Sequence, residues 1–197
     1  SLVPHREATG NKGSFGKTVH ITGSDKYRGA AHLALEASLR SGVGITYHVD
    51  GGELAKELRL KFPEAIYIDM IKGAWEEDPI AKAVGKYSSV LIGSGSSISK
   101  ELSELVESVI KTDGAPLVLD ADGLNSLALY RKAELPALLK NAACDVLLTP
   151  HVKEFSRLSG MSVQEILEKG IPRNDIFFDL DGLDLDGFVL DDLVLVF

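Results

Sequence analysis

Lys17-Thr-Val-His-Ile-Thr-Gly-Ser24 and, one helical interval later, Ile45-Thr-Tyr-His-Val49 decide the fold. Both are β-branched runs, and the first stops at a glycine turn, so each reads as a strand. Between them Ala30, Leu33, Ala34 and Ala37 recur at i, i+3, i+4 and i+7, the spacing of a helix with one apolar face. Gly42 and Gly44 close that helix. Strand, glycine turn, helix and strand make a βαβ unit, which predicts a right-handed crossover between parallel strands.

The alternation repeats on either side of this unit. Residues 1–16 are polar and read as an entry loop. Residues 53–60 form a short helix and 65–68 a short strand, and Asp78 caps a helix that has Pro79 at its first position. Val90-Leu-Ile92 is a buried strand running into Gly93-Ser-Gly95, and Ser99 starts a helix with Leu102, Leu105, Val106 and Val109 on one face. Leu117-Val-Leu119 is the next strand, ending at Asp120-Ala-Asp122, and residues 125–130 and 133–139 are helical. After the strand Val146-Leu-Leu148, Thr149 caps a helix that Pro150 opens, and Ser162 with Glu165 forms a capping box. The expectation is a doubly wound α/β domain with a mostly parallel sheet and helices on both faces.

Composition narrows the function. A chain of 197 residues, 45% hydrophobic and 25% charged, suits one well-packed domain. A net charge of -8 with no Lys/Arg cluster argues against nucleic acid as a partner. Residues 175–192 hold seven Asp and no Lys or Arg, nearly all of the excess, and the periodic pattern stops near Lys169. Two short strands about Asp186-Gly187, or an irregular acidic tail, are the readings there. The lone Cys144 excludes an internal disulfide, precedes an apolar run and reads as a buried inert thiol, in keeping with a reducing, cytoplasmic setting. No stretch reaches 18 apolar residues and no signal peptide opens the chain, so no membrane partner is expected.

Four constellations fall at strand ends. Asn11-Lys-Gly-Ser-Phe-Gly16 with Gly23-Ser24 offers backbone N–H groups and the Lys12 charge to an anion, or is an ordinary glycine turn. Gly93-Ser-Gly95 lies where a helix amino end favours phosphate or a polar group, although glycines are also used there for steric reasons. Asp120 and Asp122 offer two carboxylates for a hydroxyl, a ribose or a hydrated metal, or else cap a helix. His151 sits in the first turn of a helix, where the dipole favours the uncharged imidazole, a form able to hydrogen-bond a ligand. The other histidines show no metal-ligand spacing.

Taken in order, these segments resemble the NAD(P)H-hydrate dehydratases, repair enzymes with a ribokinase-like fold. The resemblance is carried by Lys12-Gly-Ser-Phe-Gly16, Thr18-Val-His-Ile-Thr-Gly-Ser24, Gly29-Ala-Ala-His-Leu-Ala34, Leu39-Arg-Ser-Gly-Val-Gly44, Val90-Leu-Ile-Gly-Ser-Gly95, Leu117 to Asn125 and Leu148 to Phe155. It implies dehydration of (S)-NAD(P)H hydrate to NAD(P)H, driven by ADP or ATP with Mg²⁺. Phosphate would be placed on the ring hydroxyl and then eliminated, because phosphate leaves where hydroxide does not. Ala30, Gly95 and His151 would contact the hydrate, with Asp120 and Asn125 lining the cleft. A homo-oligomer, often a tetramer, is implied too.

The chain also departs from the family pattern. The Lys-Gly loop followed by Thr, and the Gly-Ser-Gly-Asp turn with its general base, do not appear after Lys169, and residues 93–96 read Gly-Ser-Gly-Ser. Asn11 stands where a histidine is usual. The expected organisation is thus an incomplete dehydratase domain over 1–170 and an atypical acidic segment over 171–197, with no residue assigned as catalytic base and no nucleotide-binding residue. A small-molecule kinase of the same fold, or an inactive ligand-binding relic, are the rival readings.

Overall fold

The computed structural model of the chain describes residues 9–50, 52–69, 86–168 and 193–195. Seven strands, β1 (Lys17–Ile21), β2 (Ile45–Asp50), β3 (Ile66–Asp69), β4 (Ser89–Ile92), β5 (Leu117–Leu119), β6 (Val146–Leu148) and β7 (Leu193–Leu195), form one sheet in the order β3-β2-β1-β4-β5-β6-β7. Every neighbouring pair is parallel. The chain steps one way from β1 to β3 and the other way from β4 onward. This reversal sets a topological switch point between β1 and β4, the place where doubly wound sheets bind ligands. The α/β class is thus as the sequence indicates. Asp78, Pro79 and the Asp186-Gly187 turn lie outside the described residues, whereas three residues of the 171–197 segment join the sheet as β7.

Helices α1 (Arg28–Ser41) and α2 (Glu53–Lys61) pack on one face of the sheet. Helices α3 (Lys100–Ile110), α4 (Ala121–Tyr130), α5 (Leu135–Lys140), α6 (Val152–Ser159) and α7 (Val163–Glu168) contribute to the core on the other. That second core holds Val19, Ile21, Val90, Ile92, Leu117, Leu119, Val146 and Leu148 from the strands, with Leu105, Val109 and Leu124 from the helices. Each fully buried aliphatic side chain contributes about 1.5–3 kcal/mol. The four residues expected on one face of the helix after Ser99 are all buried, and Ser99 Oγ caps that helix by accepting from Leu102 N at 3.0 Å.

The first face of the sheet is unusually polar. Thr18, His20, Thr22, Thr46 and His48 are all buried there. Ser38 and Thr46 hydroxyls meet at 3.0 Å, Ser89 Oγ donates to Thr18 Oγ1 at 2.9 Å, and His48 Nε2 donates to Thr22 O at 2.9 Å. This bears on α1, whose buried residues are Ala31 and Leu35, while Leu33 is 71% exposed and Ala37 is exposed. The expected face is therefore one residue out of phase. An alanine-rich helix carries little phase information, because Ala suits either environment. What sets the rotation is Leu35, fully buried with Ala31 in one cluster with Leu54 and Leu58, and the Ser38–Thr46 hydrogen bond adds to it. Along the same sheet face Leu91, Val118 and Leu147 stand in register and are half-buried.

Two helix starts also differ from expectation. α4 begins at Ala121, four residues earlier than residue 125. α6 is capped by His151, not Thr149, because the Thr149 hydroxyl is engaged elsewhere.

Candidate functional site

Four adjacent parallel strands bring Gly23-Ser24, Gly93-Ser94-Gly95, Asp120-Ala121-Asp122 and Thr149-Pro150-His151 to one edge of the sheet. Backbone bonds tie the first two turns: Gly93 N donates to Ile21 O at 3.0 Å and Gly23 N to Ser94 O at 2.8 Å. Ser96 Oγ also donates to Ile21 O at 2.9 Å. Glycine is required at 93, where φ is +116° and a Cβ would fall on the Asp120 carbonyl oxygen. At Gly95, with φ +69°, a Cβ would lie 2.7 Å from Ala30 Cβ and 2.9 Å from Tyr27 Cβ. The β4 turn and the first turn of α1 thus close on each other across the switch point.

Asp120 joins three strand ends. Its Oδ2 accepts from Ser94 Oγ and its Oδ1 from Thr149 Oγ1, both at 2.8 Å. It occupies the N-cap position of α4 without making a side-chain cap bond, so the carboxylate points along the sheet edge instead of over the helix. Asp122 accepts from Ser97 N at 2.9 Å, and Ser97 Oγ meets Ser24 Oγ at 3.1 Å. Ser97 at φ +68° and Ala121 at φ +45° are the non-glycine residues with left-handed backbone among those described. Both lie in these turns, at a cost of about 1–2 kcal/mol each.

His151 is 63% exposed at its side chain and caps α6. Its Nδ1 accepts from Lys153 N at 3.1 Å and Glu154 N at 3.2 Å, so Nδ1 bears no hydrogen in this arrangement. Nε2 lies 3.3 Å from Glu154 Oε1. Asn125 is buried rather than open to the cleft: Nδ2 donates to Ala121 O at 2.9 Å, and Oδ1 accepts from Arg157 at 2.6 Å.

The five site residues named from the sequence therefore form two groups. Ala30 and Gly95 touch at the switch point. Asn125 and His151 meet through Glu154, and Asp120 spans the gap between the groups by way of Ser94 and Thr149. The sequence reading took Ser94, Ser97 and Glu154 only as members of their turn motifs, with no role of their own, and passed over Arg157. Glu154 carried a signal, its spacing of three from His151, which is that of a capping box.

The first constellation does not assemble. Gly44 N donates to Phe15 O at 2.9 Å and Ile45 N to Gly16 O at 3.1 Å, which places residues 11–16 at the amino ends of β1 and β2. Gly23-Ser24 lies at the opposite edge, about 17 Å away along a five-residue strand. The Asn11 side chain is spent on its own 3-10 turn, accepting from Gly13 N at 2.8 Å.

Among the described residues no group of three or more His, Cys, Asp or Glu is placed to hold a metal ion, and Asp120 and Asp122 are both engaged by donors. These residues do not fit a protein-held Mg²⁺. Likewise, among the described residues, no helix is long and apolar enough to cross a membrane. Cys144 is half-buried, and burial pushes its thiol up from the ordinary value, against a reactive thiolate.

Comparison with known proteins gives one consistent answer. The family model described as NAD(P)H-hydrate dehydratase matches residues 19–173. The ADP-dependent (S)-NAD(P)H-hydrate dehydratase of Bacillus subtilis is 31% identical over 169 residues, covering 86% of this chain and 56% of that protein. A bifunctional NAD(P)H-hydrate repair enzyme of Coxiella burnetii is 34% identical over 165 residues, covering 84% of this chain and 31% of its own. A crystal structure of the Bacillus subtilis ADP/ATP-dependent NAD(P)H-hydrate dehydratase, co-crystallized with ATP/Mg²⁺, superposes with a TM-score of 0.66 at 29% identity, over 84% of this chain and 55% of that one. The chain spans about half the length of the dehydratases it matches.

Proposed function

We infer the function from kinship first: the chain belongs to the NAD(P)H-hydrate dehydratase family. On that premise its role is nicotinamide nucleotide repair, the ADP- or ATP-dependent dehydration of (S)-NAD(P)H hydrate. The described residues supply the hydrate-facing part of the site. The observation that carries this reading is the contact of Gly95 with Ala30 at the β1–β4 switch point, with the exposed His151 two strands away on the same edge. A ligand at such a point meets backbone N–H groups of the β4 turn and the first turn of α1. His151, with Nδ1 committed to amides, has Nε2–H as its ring donor, suited to an oxygen acceptor on the ligand. Asp120 keeps the β4 and β6 turns at fixed spacing, so the two groups of ligand contacts hold their separation.

ADP or ATP is the co-substrate in this proposal, and Mg²⁺ would accompany its phosphates rather than reside on these side chains. No described side chain is assigned as general base. The test is titration of the chain with (S)-NADH hydrate, followed by an assay of NADH formation with ADP or ATP. Saturable binding that His151→Ala weakens about tenfold supports the reading. Failure of the hydrate to bind at millimolar concentration overturns it. Binding without turnover reduces it to the ligand-binding alternative.

A further inference from the structure

Glu154 is a buried carboxylate, only 5% exposed, in the first turn of α6. A capping box requires one carboxylate oxygen on the N-cap amide. Glu154 meets that need with Oε2, which accepts from His151 N at 3.0 Å. The second oxygen is not needed for the cap. It lies 3.3 Å from His151 Nε2 and 3.4 Å from Asn125 Nδ2. Asn125 is itself held at both ends of its amide, by Ala121 O and by Arg157. The carboxylate thus cannot swing toward Asn125 without losing the cap, nor toward solvent without leaving a buried donor unmatched.

We propose that Glu154 is a positioning residue: its carboxylate beside His151 Nε2 reinforces the ring plane and the tautomer that the two amides on Nδ1 select, so that a single Nε2–H is presented at the candidate site. The proposal rests on the hydrate-binding reading for what that N–H serves, but its geometry is independent of it. The physical argument is one of complementarity. Two backbone N–H groups point at Nδ1, so Nδ1 must offer a lone pair. Nε2 then carries the hydrogen, and the Glu154 carboxylate oxygen 3.3 Å away favours a donor there by its charge without taking that hydrogen in a formed bond, which leaves the N–H to a ligand. A ligand oxygen that approaches shares a hydrogen already aimed, and does not have to select one ring orientation among several.

The test reads the ring directly. Long-range proton–nitrogen correlation spectra of nitrogen-15-labelled protein report which His151 nitrogen is protonated. The wild-type ring is expected in the Nε2–H form; an Nδ1–H ring overturns the proposal before any variant is made. Glu154→Gln keeps the side-chain shape but replaces one acceptor with an NH₂ group, so either the cap or the ring must face a donor. The folded fingerprint is expected to survive with the Nε2–H form still the major one, because both amides still face Nδ1, while an Nδ1–H fraction absent from the wild type becomes detectable and the dissociation constant for (S)-NADH hydrate rises about tenfold. Unchanged tautomer and affinity in Glu154→Gln overturn the proposal. Should Glu154→Gln not fold, Asn125→Ala, which removes the second donor on Oε1 and leaves the cap, is expected to keep the Nε2–H ring; loss of the tautomer there would assign the ring's orientation to Asn125 and overturn the proposal as stated. A wild-type chain that shows the Nε2–H ring and the Glu154→Gln response, yet binds no hydrate, sinks the substrate reading and leaves the positioning role supported.

Discussion

Thr149 donates its hydroxyl to Asp120 Oδ1 at 2.8 Å, on the side of the carboxylate opposite to the oxygen that Ser94 holds at the same distance. One side chain at the end of β5 therefore binds the ends of β4 and β6. This is why Asp120, at the N-cap position of α4, spends nothing on the helix.

Asp120→Ala is expected to lower the unfolding free energy by about 2 kcal/mol, since two hydroxyls lose their acceptor. Asp120→Asn keeps one good acceptor, and hydroxyls can reorient, so less than half of that loss is expected. Urea unfolding of the three proteins checks this. Equal midpoints for wild type and Asp120→Ala would show that the bracket contributes nothing.

Gly95 and Gly29 make a matched pair. Gly95→Ala drives a Cβ against Ala30 and Tyr27 at φ +69°, and a loss of about 2 kcal/mol is expected. Gly29 lies in the first turn of α1 with nothing within 4 Å of a Cβ, so Gly29→Ala is expected to be neutral or to stabilise by up to about 1 kcal/mol. Thermal melts of both variants give the comparison, and similar losses in the two would refute the close approach at Gly95.

Gly44→Ala tests the placement of residues 11–16. A Cβ there falls on the Lys12 carbonyl, which is backbone and cannot turn aside. A loss of about 2–3 kcal/mol is expected. Hydrogen exchange should localise the disturbance to the amino ends of β1 and β2, with the Gly93–Ser97 turn protected as before. Faster exchange at that turn would place the two segments together after all.

His20 and His48 stand opposite each other on β1 and β2, and burial pushes both down to about 4, with His48 adding to the effect on His20. Below the ordinary histidine value of about 6.5 the unfolded chain binds protons that the folded one refuses, so stability falls as the pH drops from 6.5 toward 4. The stability is fully present above pH 6.5. The loss is on the order of 3 kcal/mol for each ring at the low end. His20→Leu is expected to flatten this slope, measured as the difference in unfolding free energy between pH 7.5 and pH 5. An unchanged slope would mean that the acid sensitivity arises elsewhere.

By itself the sequence determined the alternation of strands and helices, because β-branched runs, glycine turns and caps are local signals. Six of the seven strands among the described residues were legible to within one residue, as was the capping box of Ser162 and Glu165, realised with Glu165 N donating to Ser162 Oγ at 3.2 Å. The glycines and polar residues at strand ends marked the site for the same reason: parallel strands leave their carboxyl ends together. The tertiary structure alone decided three things. It rotated α1 by one residue, because Leu35 and not Leu33 found an apolar cluster, with Ser38 meeting Thr46 beside it. It parted the Asn11–Gly16 loop from Gly23-Ser24, because a strand separates its own two ends by its length. And it turned Asp120 toward Ser94 and Thr149, and Glu154 toward His151, because the partners of a carboxylate belong to strands and helices far away in the chain or one helical turn back, and sequence spacing cannot say which oxygen goes where.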